Sequence, residues 1–210
     1  MKARLILIGG GGHCHACIDV IESTEKFNII GIIDKSKKVG QLVLGYPIIG
    51  DDSELFKFIK EDTWFIITLG NIKRASLRKS LFQVLENCQA NIATIISPHA
   101  LVSKYSNIES GTIIMHRAIV GANSRIGHNS IINTNSNIEH DCIIGNHTHI
   151  STHVIINGHC VIGNEVFIGS NTTIFQEVSI VNNVIIGAGS LVTKNIKTTG
   201  IYFGNPVIRH

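Results

Sequence analysis

Residues 133–151 read NTNSNIEHDCIIGNHTHIS, and the apolar residues in this stretch return every sixth position, at Ile138, Ile144 and Ile150. The interval extends in both directions, so that every sixth residue of the range Ile96–Val192 is Ile or Val. The residue four places after each of these is small or β-branched, and glycine often follows directly. A period of six matches neither the turn of an α-helix nor the alternation of a strand. It is typical of hexapeptide repeats that coil into a parallel β-helix.

The repeat predicts a prism built from triangular coils. Three hexads make one coil of about 18 residues, with each Ile or Val pointing inward. Glycine and asparagine suit the corners, where φ is often positive. Cys142 and Cys160 occupy the same inward position in successive coils, where reduced cysteines act as small apolar packers. Because no insertion interrupts the period, we expect no long loop to project from the coils.

Residues 1–95 follow a different pattern, in which apolar strands alternate with helical segments. The segments ARLILIGG, FNIIGIID and WFIITLG are predicted strands, and HACIDVIESTE and IKRASLRKSLFQVLENC have the apolar spacing of helices. Strands that alternate with helices pair in parallel, because parallel pairing requires a crossover. The sequence therefore predicts a Rossmann-like α/β domain at 1–95, a β-helix at 96–197 and a C-terminal tail at 198–210.

The composition argues against several classes of protein. The chain is 44% hydrophobic and 16% charged, which is typical of a globular protein, and its net charge is +3. No run of Lys or Arg marks a nucleic-acid-binding surface. No apolar run reaches the roughly 18 residues of a membrane span, so membrane insertion is not predicted. Five cysteines without a signal peptide indicate reduced thiols, and we expect a cytoplasmic protein.

The glycine-rich string IGGGGHCHAC begins at the end of the first predicted strand and opens a helix. Backbone N–H groups at such a helix start, here from Gly11 and Gly12, suit a phosphate. The string lacks the third glycine of the dinucleotide fingerprint, because Cys14 stands in its place. We therefore predict a phosphate cradle, and an NAD enzyme is disfavoured.

Polar residues and a glycine stand at the ends of other predicted strands. Asp34 and Lys35 follow the second strand, and Gly70 ends the segment WFIITLG. The carboxyl ends of parallel strands meet at one edge of the sheet, where ligands bind. Asp34 is therefore predicted to accept a hydrogen bond from a ribose or a base, with Lys35 and Gly70 in the same substrate site.

His140 is the third residue of its hexad and Asp141 the fourth, so both side chains are predicted to point outward at a corner. The positions one coil away are Ala122 and Gly158, which leave room for a substrate. Histidine has a pKa near neutrality and is the usual general base of enzymes. His140 is the predicted base, with Asp141 orienting its ring.

The other histidines of the opening stretch are not predicted to form a metal site with His140. His147 falls at the fourth position of the next hexad and His149 at the end of that hexad. Glu139, His140, His147 and His149 thus spread over two faces of a coil, so we expect no metal ion. His147, His153 and His159, all at fourth positions, are predicted to be exposed corner residues without a role.

The strings GGGGH, NTNSNIEHDCIIGNHTHIS and GIYFGNPV together resemble a family of bacterial sugar-modifying enzymes. This family comprises the sialic acid O-acetyltransferases and the bacillosamine-type N-acetyltransferases, and the resemblance covers essentially the whole chain. It implies a left-handed β-helix, a homotrimer, and acetyl-CoA bound along the groove between adjacent β-helices. It also implies that the N-terminal domain holds a nucleotide-linked sugar.

The resemblance assigns roles to individual residues. The segment IEHDC matches the family's catalytic histidine and the acid that follows it, which supports His140 and Asp141. His13 matches a histidine that contacts the substrate. His149 matches one that contacts acetyl-CoA or its acetyl group. Three further positions match the acetyl-CoA groove of the family: Gly158, Ser170 and Ala188.

The predicted activity is the transfer of an acetyl group from acetyl-CoA to a nucleotide-linked amino sugar of the 4-amino-4,6-dideoxy type, for surface glycans. No metal cofactor is expected. One alternative is O-acetylation of sialic acid or of a related sugar hydroxyl. Another is a non-catalytic protein that only binds a sugar nucleotide, which would tolerate the loss of His140.

Overall fold

The computed structural model describes residues 2–70 and 75–210. Its first part is an α/β layer with a six-stranded sheet in the order β3-β4-β2-β1-β5-β6. Its elements in chain order are β1 (Ala3–Ile8), α1 (Gly12–Thr24), β2 (Phe27–Ile33), β3 (Leu42–Val43), β4 (Tyr46–Gly50), a 3₁₀ helix (Asp52–Phe58), β5 (Thr63–Ile67), α2 (Ala75–Asn87) and β6 (Asn91–Ile92). The first residues of the second predicted helix, 72–74, lie outside the described residues.

The parallel pairing predicted for this sheet is confirmed. β1 pairs in parallel with β2 and β5, β2 pairs in parallel with β4, and β5 pairs in parallel with β6. The antiparallel hairpin of β3 and β4 and the 3₁₀ helix after it were not predicted from the sequence. These elements add an outer strand beside β2 and so widen the ligand-binding edge of the sheet.

The second part is a parallel β-helix with three faces. The first face contains β7 (Ile95–Ile96), β10 (Ile113–Ile114), β13 (Ile131–Ile132), β16 (His149–Ile150), β19 (Phe167–Ile168), β22 (Val184–Ile186) and β24 (Gly200–Gly204). The last strand, β25 (Val207–Arg209), extends this face by pairing antiparallel with β24. The second face contains β8 (Leu101–Val102), β11 (Ile119–Val120), β14 (Asn137–Ile138), β17 (Ile155–Ile156), β20 (Thr173–Ile174) and β23 (Leu191–Val192). The third face contains β9 (Asn107–Ile108), β12 (Arg125–Ile126), β15 (Ile143–Ile144), β18 (Val161–Ile162) and β21 (Ser179–Ile180).

The predicted register and interior are confirmed. Each strand of the repeat pairs with the strand one coil later, as in Ile114 with Ile132. The sixth-position residues form the interior, where Ile126, Ile144 and Ile162 are fully buried or nearly so. Cys142 and Cys160 are buried and free, as expected. Ile96 is an exception at 37% exposed, because it lies in the first coil, where no earlier coil covers it.

The corners differ from the prediction in one respect. Positive φ falls on the fourth residue of the hexads, which is mostly Asn, Asp or His, with φ of 58° at Asp141. The glycine after each isoleucine instead allows the coils to stack closely. A Cβ built on Gly145 would lie 2.6 Å from the carbonyl carbon of Gly163 in the next coil. Glycine is therefore required there by the spacing between coils and not by φ.

The α/β layer covers the first face. Helix α1 shares a hydrophobic core with Ile95, Ile113 and Met115 of that face. Arg78 of α2 is buried and donates hydrogen bonds to carbonyl oxygens of both parts, at 3.0 Å to Leu69 and 3.1 Å to Asn129. These contacts fix the α/β layer on one side of the prism.

Candidate active site

Each edge of the prism is named here by the two faces that it joins. His140 and Asp141 lie on edge 2–3, between β14 and β15. The His140 Nδ1 atom is 2.7 Å from Asp141 Oδ2, and Asn123 Nδ2 donates to Asp141 Oδ1 at 2.6 Å. Because the carboxylate accepts from Nδ1–H, the lone pair of the neutral ring is on Nε2. The His140 side chain is 56% exposed, so Nε2 is accessible to a reacting group.

The electrostatics of this dyad favour proton acceptance. The hydrogen bond to Asp141 raises the pKa of His140 above its ordinary value. The hydrogen bonds from Asn123 and from His140 lower the pKa of Asp141. The carboxylate therefore stays ionised at neutral pH and stabilises the imidazolium that forms when His140 takes a proton.

The space over Gly158, which was expected to leave room for a substrate, is occupied by the ring of His140 itself. Gly158 lies in the next coil, and a Cβ built on it would come within 2.7 Å of the His140 ring. His159, predicted as an exposed corner residue without a role, packs edge-to-face on His140 with ring centroids 5.3 Å apart. Its Nε2 is 3.7 Å from Asp141 Oδ2. Possible ligand atoms of His140, Asp141 and His159 all lie within 4.8 Å of one another. This grouping was not predicted, although His159 stands 18 residues, or one coil, after Asp141.

His149 does not lie near this dyad in the same chain. It belongs to β16 on the first face and is only 4% exposed, because the α/β layer covers it. Its ring centroid is 6.1 Å from that of His13 at the start of α1. Burial lowers the pKa of His149 to about 3 and that of His13 to about 4, so both rings are neutral at pH 7.

Two nitrogen atoms of this histidine pair have no partner among the described residues. They are His13 Nε2 and His149 Nδ1, and both are buried. Buried polar atoms in native proteins are nearly always hydrogen-bonded. Two neighbouring nitrogen atoms without a hydrogen-bond partner therefore indicate a position for a ligand or a water molecule. The structure thus brings together one residue predicted to contact the sugar substrate and one predicted to contact acetyl-CoA.

His147 also differs from the prediction of an exposed corner residue. It is half-buried beneath α2, with its ring 5.6 Å from that of Phe82, and it contacts Asn129 at 3.0 Å through Nδ1. Burial lowers its pKa. The separation of His140, His147 and His149 that the hexad period predicted is confirmed, since they lie on edge 2–3, edge 3–1 and the first face.

The predicted phosphate cradle has the geometry of an open anion site. Gly11 is the N-cap of α1 and Gly12 its first residue, and no side chain caps the helix. A Cβ built on either glycine would meet nothing within 4 Å. Free N–H groups and the positive end of the helix dipole therefore face open space. Lys37, which the sequence analysis did not select, packs near Gly10 and adds a cation.

The polar residues at the strand ends lie beside this cradle. Asp34 Oδ2 accepts from Gly10 N at 2.6 Å, and Oδ1 accepts from the backbone N of Ser36 at 2.8 Å. Burial alone would raise the pKa of Asp34, but the hydrogen bonds from Ser36 and Gly10 hold it below its ordinary value. Lys35 lines the same cavity, which has a volume of about 490 Å³. A Cβ built on Gly70 would lie 3.8 Å from His13 Cβ, so Gly70 is close to His13.

The three positions predicted to line the acetyl-CoA groove fall on two different edges. Gly158 is on edge 2–3 beside His140, whereas Ser170 and Ala188 are on edge 1–2. The Ser170 hydroxyl is hydrogen-bonded to the Ser151 and Thr152 hydroxyls at 2.9 and 2.8 Å. Within one chain the dyad and these residues do not form a single groove.

Comparisons with known proteins agree with this architecture. A family model described as the PglD N-terminal domain matches residues 4–85, and one described as bacterial transferase hexapeptide (six repeats) matches residues 141–176. The acetyltransferase domain of PglB from Neisseria gonorrhoeae superimposes with a TM-score of 0.93 at 26% identity, over 100% of both chains. The two family models cover the α/β layer and part of the β-helix, and the chain is similar to the bacillosamine-type N-acetyltransferases. It is an acetyltransferase with a left-handed β-helix.

Two solved structures of related acetyltransferases contain ligands. The PglB domain in complex with acetyl coenzyme A has a TM-score of 0.92 and 25% identity over 100% of both chains. PerB from Caulobacter crescentus, in complex with CoA and GDP-perosamine, has a TM-score of 0.92 and 26% identity, over 100% of this chain and 98% of PerB. A search of curated proteins found no match. Among the described residues, no helix of this acetyltransferase is long and apolar enough to cross a membrane.

Proposed function

We propose that this acetyltransferase transfers an acetyl group from acetyl-CoA to the amine of a nucleotide-linked 4-amino-4,6-dideoxy sugar, which then enters a bacterial surface glycan. The observation that carries the proposal is the His140–Asp141 dyad, whose Nε2 is exposed while Nδ1 is 2.7 Å from the carboxylate. The binding of acetyl-CoA by the PglB domain and of CoA with GDP-perosamine by PerB supports the two substrates.

In the proposed reaction, the sugar amine attacks the thioester carbonyl of acetyl-CoA. His140 Nε2 accepts the proton that the amine loses, and Asp141 stabilises the resulting imidazolium. The carbon–sulfur bond breaks, and the departing CoA sulfur takes the proton back from His140. Acetyl amide and CoA are the products, so protons and electrons balance. Binding both substrates side by side supplies a further part of the rate.

We further propose that the complete site forms between copies of the chain in a homotrimer. The α/β layer covers the first face, whereas the dyad lies on edge 2–3, the edge opposite that face. A sugar held by the α/β layer of one copy therefore cannot meet His140 of the same copy without crossing the prism. In the trimer, edge 1–2 of one copy lies beside the His140–Asp141 dyad of a neighbouring copy. Ser170 and Ala188 of that edge then line a groove for acetyl-CoA, together with the neighbouring copy's Gly158.

The remaining roles follow from the same arrangement. The Gly11 and Gly12 N–H groups bind the diphosphate, and Asp34, Lys35 and Gly70 line the nucleotide site. The unpaired nitrogens of His13 and His149 provide hydrogen bonds where the sugar meets the acetyl end of acetyl-CoA. Because both histidines are neutral, they hold polar groups without competing with His140 for the proton.

A thiol-release assay with acetyl-CoA tests this function. Nucleotide-linked 4-amino sugars are expected to give CoA, and free sialic acid is expected to give none; the reverse result would favour O-acetylation. His140→Asn should lower kcat by about 10²- to 10⁴-fold, the range expected for loss of a general base. His153 lies at an exposed corner two hexads after His140. His153→Asn is therefore the matched control and should retain activity. Near-full turnover in a folded His140→Asn variant would refute the role of His140.

A further inference from the structure

The cavity beside Asp34, which we propose binds the nucleotide, also contains the carboxylate of Asp52. The proposed mechanism assigns no role to Asp52, and none was predicted from the sequence. Strand β4 lies next to β2, which lies next to β1, and the three strands run in parallel. The backbone N of Asp34 donates to Gly50 O at 3.0 Å, which brings the ends of β2 and β4 together. Asp52 follows two residues after β4. The glycine cradle, Asp34 and Asp52 therefore lie in that order along one edge of the sheet.

This order corresponds to the parts of a bound nucleotide. In open parallel sheets the phosphates bind at the turn after the first strand, and an acid after the second strand binds the ribose. The next position outward is then available to the base. Here that position is occupied by Asp52, which lines the cavity of about 490 Å³ together with Leu69 and Leu77. The two leucines provide an apolar wall against which a planar base can pack.

The two carboxylates in this cavity differ in their hydrogen bonds. Asp34 accepts from Gly10 N, from Ser36 N and from the Ser36 hydroxyl. Within residues 2–70 and 75–210, by contrast, no hydrogen bond to the Asp52 carboxylate is present. Burial, followed by the negative charge of Asp34, raises the pKa of Asp52. Asp52 offers two free acceptor oxygens to a ligand.

We propose that Asp52 recognises guanine, so that the sugar substrate is linked to guanosine diphosphate; this inference rests on the proposed function. Guanine presents N1–H and the 2-amino group side by side, two donors that match the two oxygens of a carboxylate. Uracil and thymine present a single N3–H between two carbonyl oxygens, which a carboxylate repels. Adenine and cytosine present one donor beside an acceptor nitrogen. A site built around paired hydrogen bonds therefore discriminates strongly against the other bases.

Calorimetric binding of nucleoside diphosphates to the full chain tests this assignment. We expect GDP to bind at least tenfold more tightly than UDP or dTDP. Inosine diphosphate, which lacks the 2-amino group, should fall between them. Asp52→Asn should weaken GDP binding by about 10- to 100-fold, as expected for hydrogen bonds to a charged group. The same variant should gain affinity for xanthosine diphosphate, because the new amide N–H₂ donates to the 2-oxo group of xanthine.

Asp51→Asn is the matched control, because the neighbouring Asp51 carboxylate accepts from Ser53 and does not line the cavity. It should leave the ranking of the nucleotides unchanged. Equal or tighter binding of UDP or dTDP, or unchanged GDP binding by Asp52→Asn, would overturn the guanine assignment and leave the acetyltransferase proposal intact. If the folded protein bound none of these nucleotides, the nucleotide-sugar substrate of the proposed function would be overturned as well.

Discussion

The ring of His140 lies over Gly158 of the next coil, so closely that a Cβ on Gly158 would stand 2.7 Å from His140 Cε1 and 2.8 Å from Nε2. Real Cβ atoms do not approach other atoms this closely, so any side chain at position 158 must displace the imidazole. The position of the proposed base is therefore set by the residue one coil away as much as by its own backbone.

Gly158→Ala should act on catalysis and leave the fold largely intact. The added methyl group moves His140 Nε2 away from its present position, and misplacement of a reacting group by about 1 Å can cost about 10²-fold in rate. We expect kcat to fall by roughly this factor, with little change in the melting temperature. The measurement is steady-state turnover together with thermal unfolding. A double variant with His140→Ala should be no slower than His140→Ala alone; an additive loss would mean that Gly158 acts elsewhere.

Asp141→Asn should change the pH dependence of turnover. The hydrogen bond that His140 Nδ1–H donates to Asp141 raises the pKa of His140, so removing the carboxylate lowers that pKa. The neutral ring is the base, and the acidic limb of the kcat/KM profile should therefore shift to lower pH. The plateau should fall about tenfold, because a hydrogen bond to a charged group of about 1.5 kcal/mol is lost. If the acidic limb of the kcat/KM profile did not move in Asp141→Asn, a group other than His140 would control that limb.

Arg78→Met should destabilise the junction between the α/β layer and the β-helix. The guanidinium is buried, and it donates to the carbonyl oxygens of Ile67, Leu69, Asn129 and Gly111. Removing it leaves several buried acceptors without donors, at about 1–3 kcal/mol each when they stay dry. We expect the free energy of unfolding to fall by about 3 kcal/mol in urea titrations. Lys79→Met, which removes an ion pair with Glu165 that is partly exposed to solvent, should cost about 1 kcal/mol or less.

His149 should make the protein less stable in mild acid. Its folded-state pKa of about 3 lies below the ordinary value of 6.5, so the unfolded chain binds the proton first. The stability is therefore complete above about pH 6.5 and is lost as the pH falls toward 3. At pH 5 the loss from this group is up to about 2 kcal/mol. In urea unfolding at equal protein concentration, the free energy of unfolding of His149→Gln should depend less steeply on pH than that of the unmodified protein.

His153→Gln is the control for that experiment, since its side chain is exposed. It should retain the pH dependence of the unmodified protein. His13 contributes with the same sign through its own lowered pKa, so some dependence should remain in His149→Gln. Identical slopes for the unmodified protein and His149→Gln would contradict the burial of a neutral ring at this position.

The sequence by itself determined the β-helix, because every hexad contains its own inward-facing Ile or Val and every coil repeats the pattern of the coil before it. It likewise predicted the parallel α/β sheet, the glycine cradle, and the pairing of His140 with Asp141, since adjacent residues at one corner need no long-range information. Stacking 18 residues apart also made the contact between His140 and Gly158 readable from the spacing alone.

Only the tertiary structure decided how the α/β layer sits on the prism. The hexad period makes the three faces equivalent, so nothing local predicts that the first face is covered and that His149 is buried against His13. The same holds for Asp52, whose place beside β2 depends on the unpredicted hairpin of β3 and β4. Such contacts arise from packing between segments far apart in the chain, whereas a repeat encodes only the contacts between neighbouring coils.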